Sequence, residues 1–233
     1  MLHSWDISPK EAVALQRHLA GLVRVEPIAG PVRTVAGADC AFAAGPCPWG
    51  PLRGGPTWGG GEIIAAAVLC DAETMEVLCR GETRRPCTFP YVPGLLSFRE
   101  APAVIEVVGK LSLRPDLLMC DGQGLAHPRG MGLACHVGLW VDMPVIGVAK
   151  SRLCGQYGDV PAHRGGRAEL MLDGGVVGAV VRTKDNVRPL FVSVGNRVTL
   201  DEAVAWTLRA GRGFRLPQPT RLADMLVSQL KRN

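Results

Sequence analysis

An apolar run, Leu117-Leu118-Met119-Cys120, stops abruptly at Asp121-Gly122-Gln123-Gly124, with His127 soon after and Lys150 closing the next apolar run. A carboxylate at the end of a buried strand stands where α/β proteins keep their ligands. A second carboxylate, Asp39, lies inside Val35-Ala36-Gly37-Ala38-Asp39-Cys40-Ala41-Phe42, a strand-like segment otherwise free of charge. Buried alone, it needs a cation, a proton or strong hydrogen bonds, and by itself it suits a structural role as well as a metal-ligand role. Asp121 tips that balance, because two carboxylates on adjacent strands can share a divalent cation, and hard oxygen donors suit magnesium or manganese rather than zinc. His127 can orient or protonate a reacting oxygen, contact phosphate, or merely satisfy nearby backbone. Lys150, taken alone, reads as a surface lysine.

Three further segments bear on that chemistry. Glu100 follows Ser97 at the spacing of a helix-cap pair, but Pro102 would then fall past the first turn, where proline fits poorly. Pro90-Tyr91-Val92-Pro93 is a stiff extended stretch, because each proline fixes its own backbone and restricts its predecessor. Near the C-terminus, Thr220 is placed to cap a helix in which Asp224 complements the dipole and Arg221 is either a phosphate contact or solvated.

The elements that must position these residues follow from pattern. Ser8-Pro9-Lys10-Glu11 opens a helix with Ala12, Leu15, Leu19 and Leu22 on one face. Strands are expected over residues 34–42, 63–70 and 76–82, the last two joined by a turn at 71–74, which suggests an antiparallel meander. A helix with Val104, Val108 and Leu111 on one face leads to the strand ending at Asp121; a small-residue helix over 132–141 and a strand over 145–149 follow. This alternation implies parallel neighbours. Strands over 175–182 and 190–195, a helix capped by Thr199 with Glu202, and a final helix after Thr220 complete the chain. Residues 43–61, eleven of nineteen being Gly or Pro, should form a mobile loop.

The 233 residues, 47% hydrophobic, suit one domain spanning the chain. A net charge of +5, carried mainly by arginine, favours phosphate contacts without demonstrating them. The eight cysteines are scattered without a Cys-x-x-Cys pair, which points to buried free thiols in a reducing compartment and a cytoplasmic location. No secretory signal is visible at the N-terminus. The most apolar window, 131–149, is interrupted by His136, Asp142 and Pro144, so no membrane span is expected.

Val35-Ala36-Gly37-Ala38-Asp39, Pro90-Tyr91-Val92-Pro93-Gly94-Leu95-Leu96-Ser97-Phe98-Arg99-Glu100, Asp121-Gly122-Gln123-Gly124-Leu125-Ala126-His127-Pro128-Arg129 and Gly147-Val148-Ala149-Lys150-Ser151, in this order, closely resemble the endonuclease V family. The resemblance implies an α/β, ribonuclease-H-like mixed sheet, its first three strands antiparallel and later ones parallel, flanked by helices. It implies metal binding by Asp39, Asp121, Glu100 and Asp224, active-site roles for Lys150 and His127, and Mg²⁺ as cofactor with Mn²⁺ able to substitute. Pro90, Tyr91, Val92 and Pro93 would be a wedge that keeps an extruded base out of the stack, with Gly122, Gln123 and Gly124 close around that base. The implied activity is metal-dependent hydrolysis of the second phosphodiester 3′ to a deaminated purine, leaving 3′-hydroxyl and 5′-phosphate ends and initiating DNA repair. The expected partner of this monomer is DNA containing deoxyinosine. An endoribonuclease acting on inosine-containing RNA is the alternative on the same site.

Two other classes fare worse. A dinucleotide-binding oxidoreductase would need Gly-x-Gly-x-x-Gly, but position 127 is His, and Asp121 would set negative charge beside a pyrophosphate. A non-catalytic nucleic-acid module would not need Asp39, Glu100, Asp121 and Lys150 together. The loop at 43–61, with Trp49, Arg53 and Trp58, departs from the family pattern and is either an inert insertion or a stacking contact with nucleic acid.

Overall fold

A computed structural model describes residues 2–44 and 61–232. The loop expected at 43–61 falls almost wholly outside the described residues. Helix α1 (Pro9–Ala20) starts as its sequence dictates, with Ser8 and Glu11 forming a reciprocal capping box. It ends before Leu22, which is exposed rather than part of the apolar face.

Strands β1 (Thr34–Ala44), β2 (Gly61–Asp71) and β3 (Val77–Pro86) form the expected antiparallel meander. The Asp71 side chain accepts the N–H groups of Glu73 and Thr74 and so makes the turn before β3. Next come α2 (Leu96–Gly109), β4 (Leu117–Cys120), α3 (Leu133–Val141) and β5 (Val145–Ala149), then β6 (Arg167–Leu172), β7 (Gly175–Val181), β8 (Leu190–Asn196), α4 (Leu200–Arg209) and α5 (Gln218–Arg232).

One eight-stranded sheet runs in the order β3-β2-β1-β4-β5-β8-β7-β6. The parallel part is confined to β1, β4 and β5; β8, β7 and β6 return antiparallel. Pattern alone does not reveal β6, because it lies at the sheet edge and buries only Leu170 fully. Helices α2 and α3 cover one face over Ala36, Ala38, Leu118 and Cys120, whereas α4 and α5 cover the other over Val35, Leu117, Met119 and Ile146.

Two helix starts differ from expectation. Helix α2 begins upstream of Pro102, with Ser97 inside it and its hydroxyl 3.1 Å from His136 Nδ1, so Ser97 and Glu100 are not a cap pair. Helix α5 begins at Gln218, and the Thr220 hydroxyl donates back to the Pro217 carbonyl rather than capping. Among the described residues, no helix is long and apolar enough to cross a membrane, and the described cysteines are free thiols.

Candidate active site

Side chains alternate across a strand, and this parity decides which carboxylates meet. On β1, Val35 faces α4 and α5, so Gly37 and Asp39 share that side while Ala36, Ala38 and Cys40 face α2 and α3. Asp121 continues the parity of Leu117 and Met119 on β4, and Lys150 that of Ile146 and Val148 on β5. Because Ala38 pairs with Cys120 across the parallel β1–β4 ladder, Asp39 and Asp121 emerge side by side at the carboxyl ends.

Gly37 admits the third carboxylate. A methyl group there would collide with the backbone of Pro219 and Thr220, so the first turn of α5 rests directly on β1 and delivers Asp224 to the same place. Carboxylate oxygens of Asp39, Asp121 and Asp224 lie within 4.8 Å of one another. Lys150 Nζ reaches Asp121 Oδ2 at 2.5 Å and Asp224 Oδ1 at 3.1 Å.

One ammonium does not balance three carboxylates. Burial, then the charge of Asp121, pushes Asp39 up to about 7 against the opposing pull of Lys150 and the Cys40 N–H. Burial also raises Asp121, although Lys150 acts the other way. For Lys150, burial disfavours the charged form, but its bonds to Asp121 and Asp224 prevail and hold its pKa above the usual lysine value. Surplus negative charge on an all-oxygen donor set fits a hard divalent cation, with Asp39, Asp121 and Asp224 as the groups able to hold it.

Glu100 does not join these three. It comes from α2 on the opposite face, where the Cys40 thiol donates to its carboxylate, and burial followed by the charges of Asp39 and Asp121 pushes it up to about 8. It stands beside the cluster, outside the group of three whose oxygens come within 4.8 Å of one another but close enough to feel the charges of Asp39 and Asp121.

A cavity of about 440 Å³ opens beside the cluster on the α2/α3 side. Tyr91, Val92 and Pro93 line it together with Gly122 and Gln123, and Glu100, Asp121 and Lys150 also line it. Of the residues expected around the base, Pro90 and Gly124 are absent from its wall. Pro90 precedes the lining segment, and Gly124 is small for a different reason: a Cβ would strike the Val194 backbone, while its N–H donates to Ser193 Oγ at 2.8 Å. Its close approach is to β8 and not to a ligand. Gln123 is held by a bond from Nε2 to the Ser151 carbonyl. Arg221 lies on the α5 side, outside the cavity lining.

His127 lines the cavity, but both ring nitrogens are engaged by backbone. Nε2 lies 3.1 Å from the Gly94 carbonyl, and Nδ1 accepts the Arg129 N–H at 3.1 Å. Burial, then the charge of Arg129, lowers its pKa to about 4. The imidazole is a neutral strut between the 91–94 segment and the Asp121 loop, and the expected donation to a reacting oxygen finds no free nitrogen. His127→Ala should therefore weaken substrate binding about 10-fold, the worth of one buried hydrogen bond with its unpaired partner, while the single-turnover rate at saturation changes little. Separate measurement of affinity and rate checks this; an equal loss in the rate itself would return His127 to the chemistry.

Gln16 and Arg129, to which the sequence alone assigns no role, complete that anchorage. Gln16 Nε2 and Arg129 Nη2 both donate to the Gly94 carbonyl, at 3.1 and 2.6 Å. The signal for Gln16 is a polar residue on the apolar face of α1, only 1% exposed. Arg215, also unassigned, bonds the carbonyls of Lys150, Pro189 and Arg188 and clamps the end of β5.

The family model for Endonuclease V matches residues 17–225. The chain is 48% identical to Endonuclease V of Geotalea uraniireducens, covering 96% of this chain and 88% of that protein. It superposes on the crystal structure of Endonuclease V from Streptomyces avermitilis with a TM-score of 0.87 and 38% identity, over 98% of this chain and 95% of that one. A more distant likeness in fold, at 19% identity and a TM-score of 0.78 over 97% of this chain and 99% of that one, is Ciona intestinalis Endonuclease V (D234N), solved in complex with a 23mer DNA containing an inosine followed by a ribo-adenosine.

Proposed function

The chain belongs to the endonuclease V family and is an endonuclease, and from that premise we propose that it is metal-dependent, recognises deoxyinosine in DNA and hydrolyses the second phosphodiester 3′ to the lesion. The observation that carries this reading is the meeting of Asp39, Asp121 and Asp224 with Lys150 at the mouth of the cavity. A bound Mg²⁺, or Mn²⁺ in its place, supplies activation of water for in-line attack and neutralisation of charge on the leaving oxygen.

The chain's own residues do the rest. Asp39, Asp121 and Asp224 hold the ion, and Lys150 presents its ammonium to the phosphate while keeping Asp121 in place. Glu100, with its neighbour Cys40, borders both the cluster and the cavity and tunes their charge. The cavity takes the extruded base, in the size range of small-molecule sites. Tyr91, half-exposed at the rim, fills the place the base leaves in the stack. Inosine-containing DNA held by a protein of the same fold supports the choice of lesion. The free thiols of the described cysteines agree with a cytoplasmic location where nicking would begin repair.

The test is incubation of labelled strands carrying one deoxyinosine, or one inosine in RNA, with Mg²⁺, Mn²⁺ or chelator. Cutting of the DNA strand only with metal is expected; preferential cutting of RNA would favour the endoribonuclease. Tyr91→Ala should weaken lesion binding by roughly 10-fold, the value of one stacking contact, while the thermal response to Mg²⁺ stays that of wild type. A lost metal response would tie Tyr91 to the ion site instead.

A further inference from the structure

The cavity opens on the α2/α3 side of Asp121, whereas α5 with Asp224 rests on the other face of β1, and this division gives a substrate strand a direction. If the lesion base enters on the α2/α3 side and the phosphate crosses the strand ends at Asp121, the chain of nucleotides continues onto the α4/α5 side. What it meets there is Phe214, 49% exposed, with the Arg221 guanidinium carbon 4.1 Å from its ring centroid.

Arg221 is one helical turn before Asp224 and is itself braced, by Gln218 Oε1 at 3.1 Å and by Met225 Sδ at 3.4 Å. Arg215, next to Phe214 in sequence, is bonded to the Lys150 carbonyl at 2.9 Å, and its charge acts on Asp121. The aromatic ring is thus tied to the cluster from two directions. Met225, 54% exposed, extends the apolar surface. An exposed aromatic ring backed by a fixed arginine, one helical turn from Asp224, is the makeup of a stacking platform for a single nucleic-acid strand.

We infer that Phe214, braced by Arg221, stacks against the nucleotides 3′ of the scissile phosphodiester. Arg221 then acts as a positioning residue for that ring more than as a phosphate contact. The inference rests on the proposed function, since it takes the lesion base into the cavity.

The test pairs Phe214→Ala with deoxyinosine strands that carry either several nucleotides or a single one beyond the cut. Wild type should lose about 10-fold in kcat/KM on shortening, the worth of one stacked base. Phe214→Ala should show that loss already on the long strand and lose little more on the short one, and Phe214→Tyr should restore the wild-type pattern. Shortening the 5′ side should affect both proteins alike. Unchanged melting temperature and Mg²⁺ response would show the variant intact. A Phe214→Ala protein that matches wild type on the long strand, or that remains equally sensitive to 3′ shortening, overturns the platform alone. Failure of wild type to cut any deoxyinosine strand overturns the functional reading and the platform with it.

Discussion

Asp121→Asn should cleave a deoxyinosine strand at least about 1,000-fold more slowly than wild type, a loss of ~4 kcal/mol in transition-state stabilisation, while binding that strand about as well. Asp121 lies at the centre of the charge arrangement. It is within 4.8 Å of the Asp39 and Asp224 oxygens and accepts from Lys150 at 2.5 Å. The amide keeps the shape that lines the cavity but removes a charge from the ion site and leaves Lys150 with a weaker partner. Single-turnover cleavage together with fluorescence anisotropy in chelator checks both halves. Undiminished cutting would remove the carboxylate site from the mechanism.

Asp39→Asn should stabilise the metal-free fold. In the metal-free protein Asp39 is pushed up to about 7 from the ordinary carboxylate value, so between about pH 4 and 7 the folded state holds a proton that the unfolded chain has released. Stability therefore falls as pH rises through that window, and above it the cost of the buried charge is fully present. Glu100, raised to about 8, extends the decline. Replacing Asp39 by the neutral amide should raise the chelator-treated melting temperature near pH 8 by ~2–8 °C, equivalent to ~1–2 kcal/mol in a chain of this size. It should also abolish the stabilisation that wild type gains from Mg²⁺, because an ion that binds the native state stabilises in proportion to its affinity. Calorimetry across pH with chelator or Mg²⁺ measures both. A variant less stable than wild type in chelator near pH 8 would contradict this charge balance. The gain in stability bought by losing the site is the trade expected of a functional cluster.

How much of this the sequence reveals depends on the physical signal each residue leaves. Asp39 and Asp121 are legible as a pair, because two carboxylates interrupting apolar strands suggest a shared cation where one alone suits a structural role as well. Their partnership with Asp224 comes from the family resemblance and not from pattern, since it depends on α5 crossing β1 at Gly37, and a glycine in a strand does not name the element that lies on it. Glu100 belongs to the right neighbourhood, but only the parity of Cys40 and Asp39 reveals that it approaches from the other face. His127 matches a motif, yet its hydrogen bonds to Gly94 and Arg129 join segments far apart or hidden within one loop, and the imidazole turns out to hold the cavity wall. The glycines after Asp121 suggest close approach to a base; for Gly124 the approaching atoms are those of the Val194 backbone, and for Gly122 the nearest are those of the Leu133 side chain. In the fold, the first three strands follow from alternation and turn chemistry, whereas β6 escapes because an edge strand with one fully buried side chain has almost no period to detect.

Metal-dependent cleavage beside the lesion is measured by mapping the ends produced from a duplex with a single deoxyinosine, in Mg²⁺ and in chelator. One nick is expected, at the second phosphodiester 3′ to the lesion, with 3′-hydroxyl and 5′-phosphate ends, and none in chelator. Cutting in chelator, or nicks scattered without regard to the deoxyinosine, would contradict it.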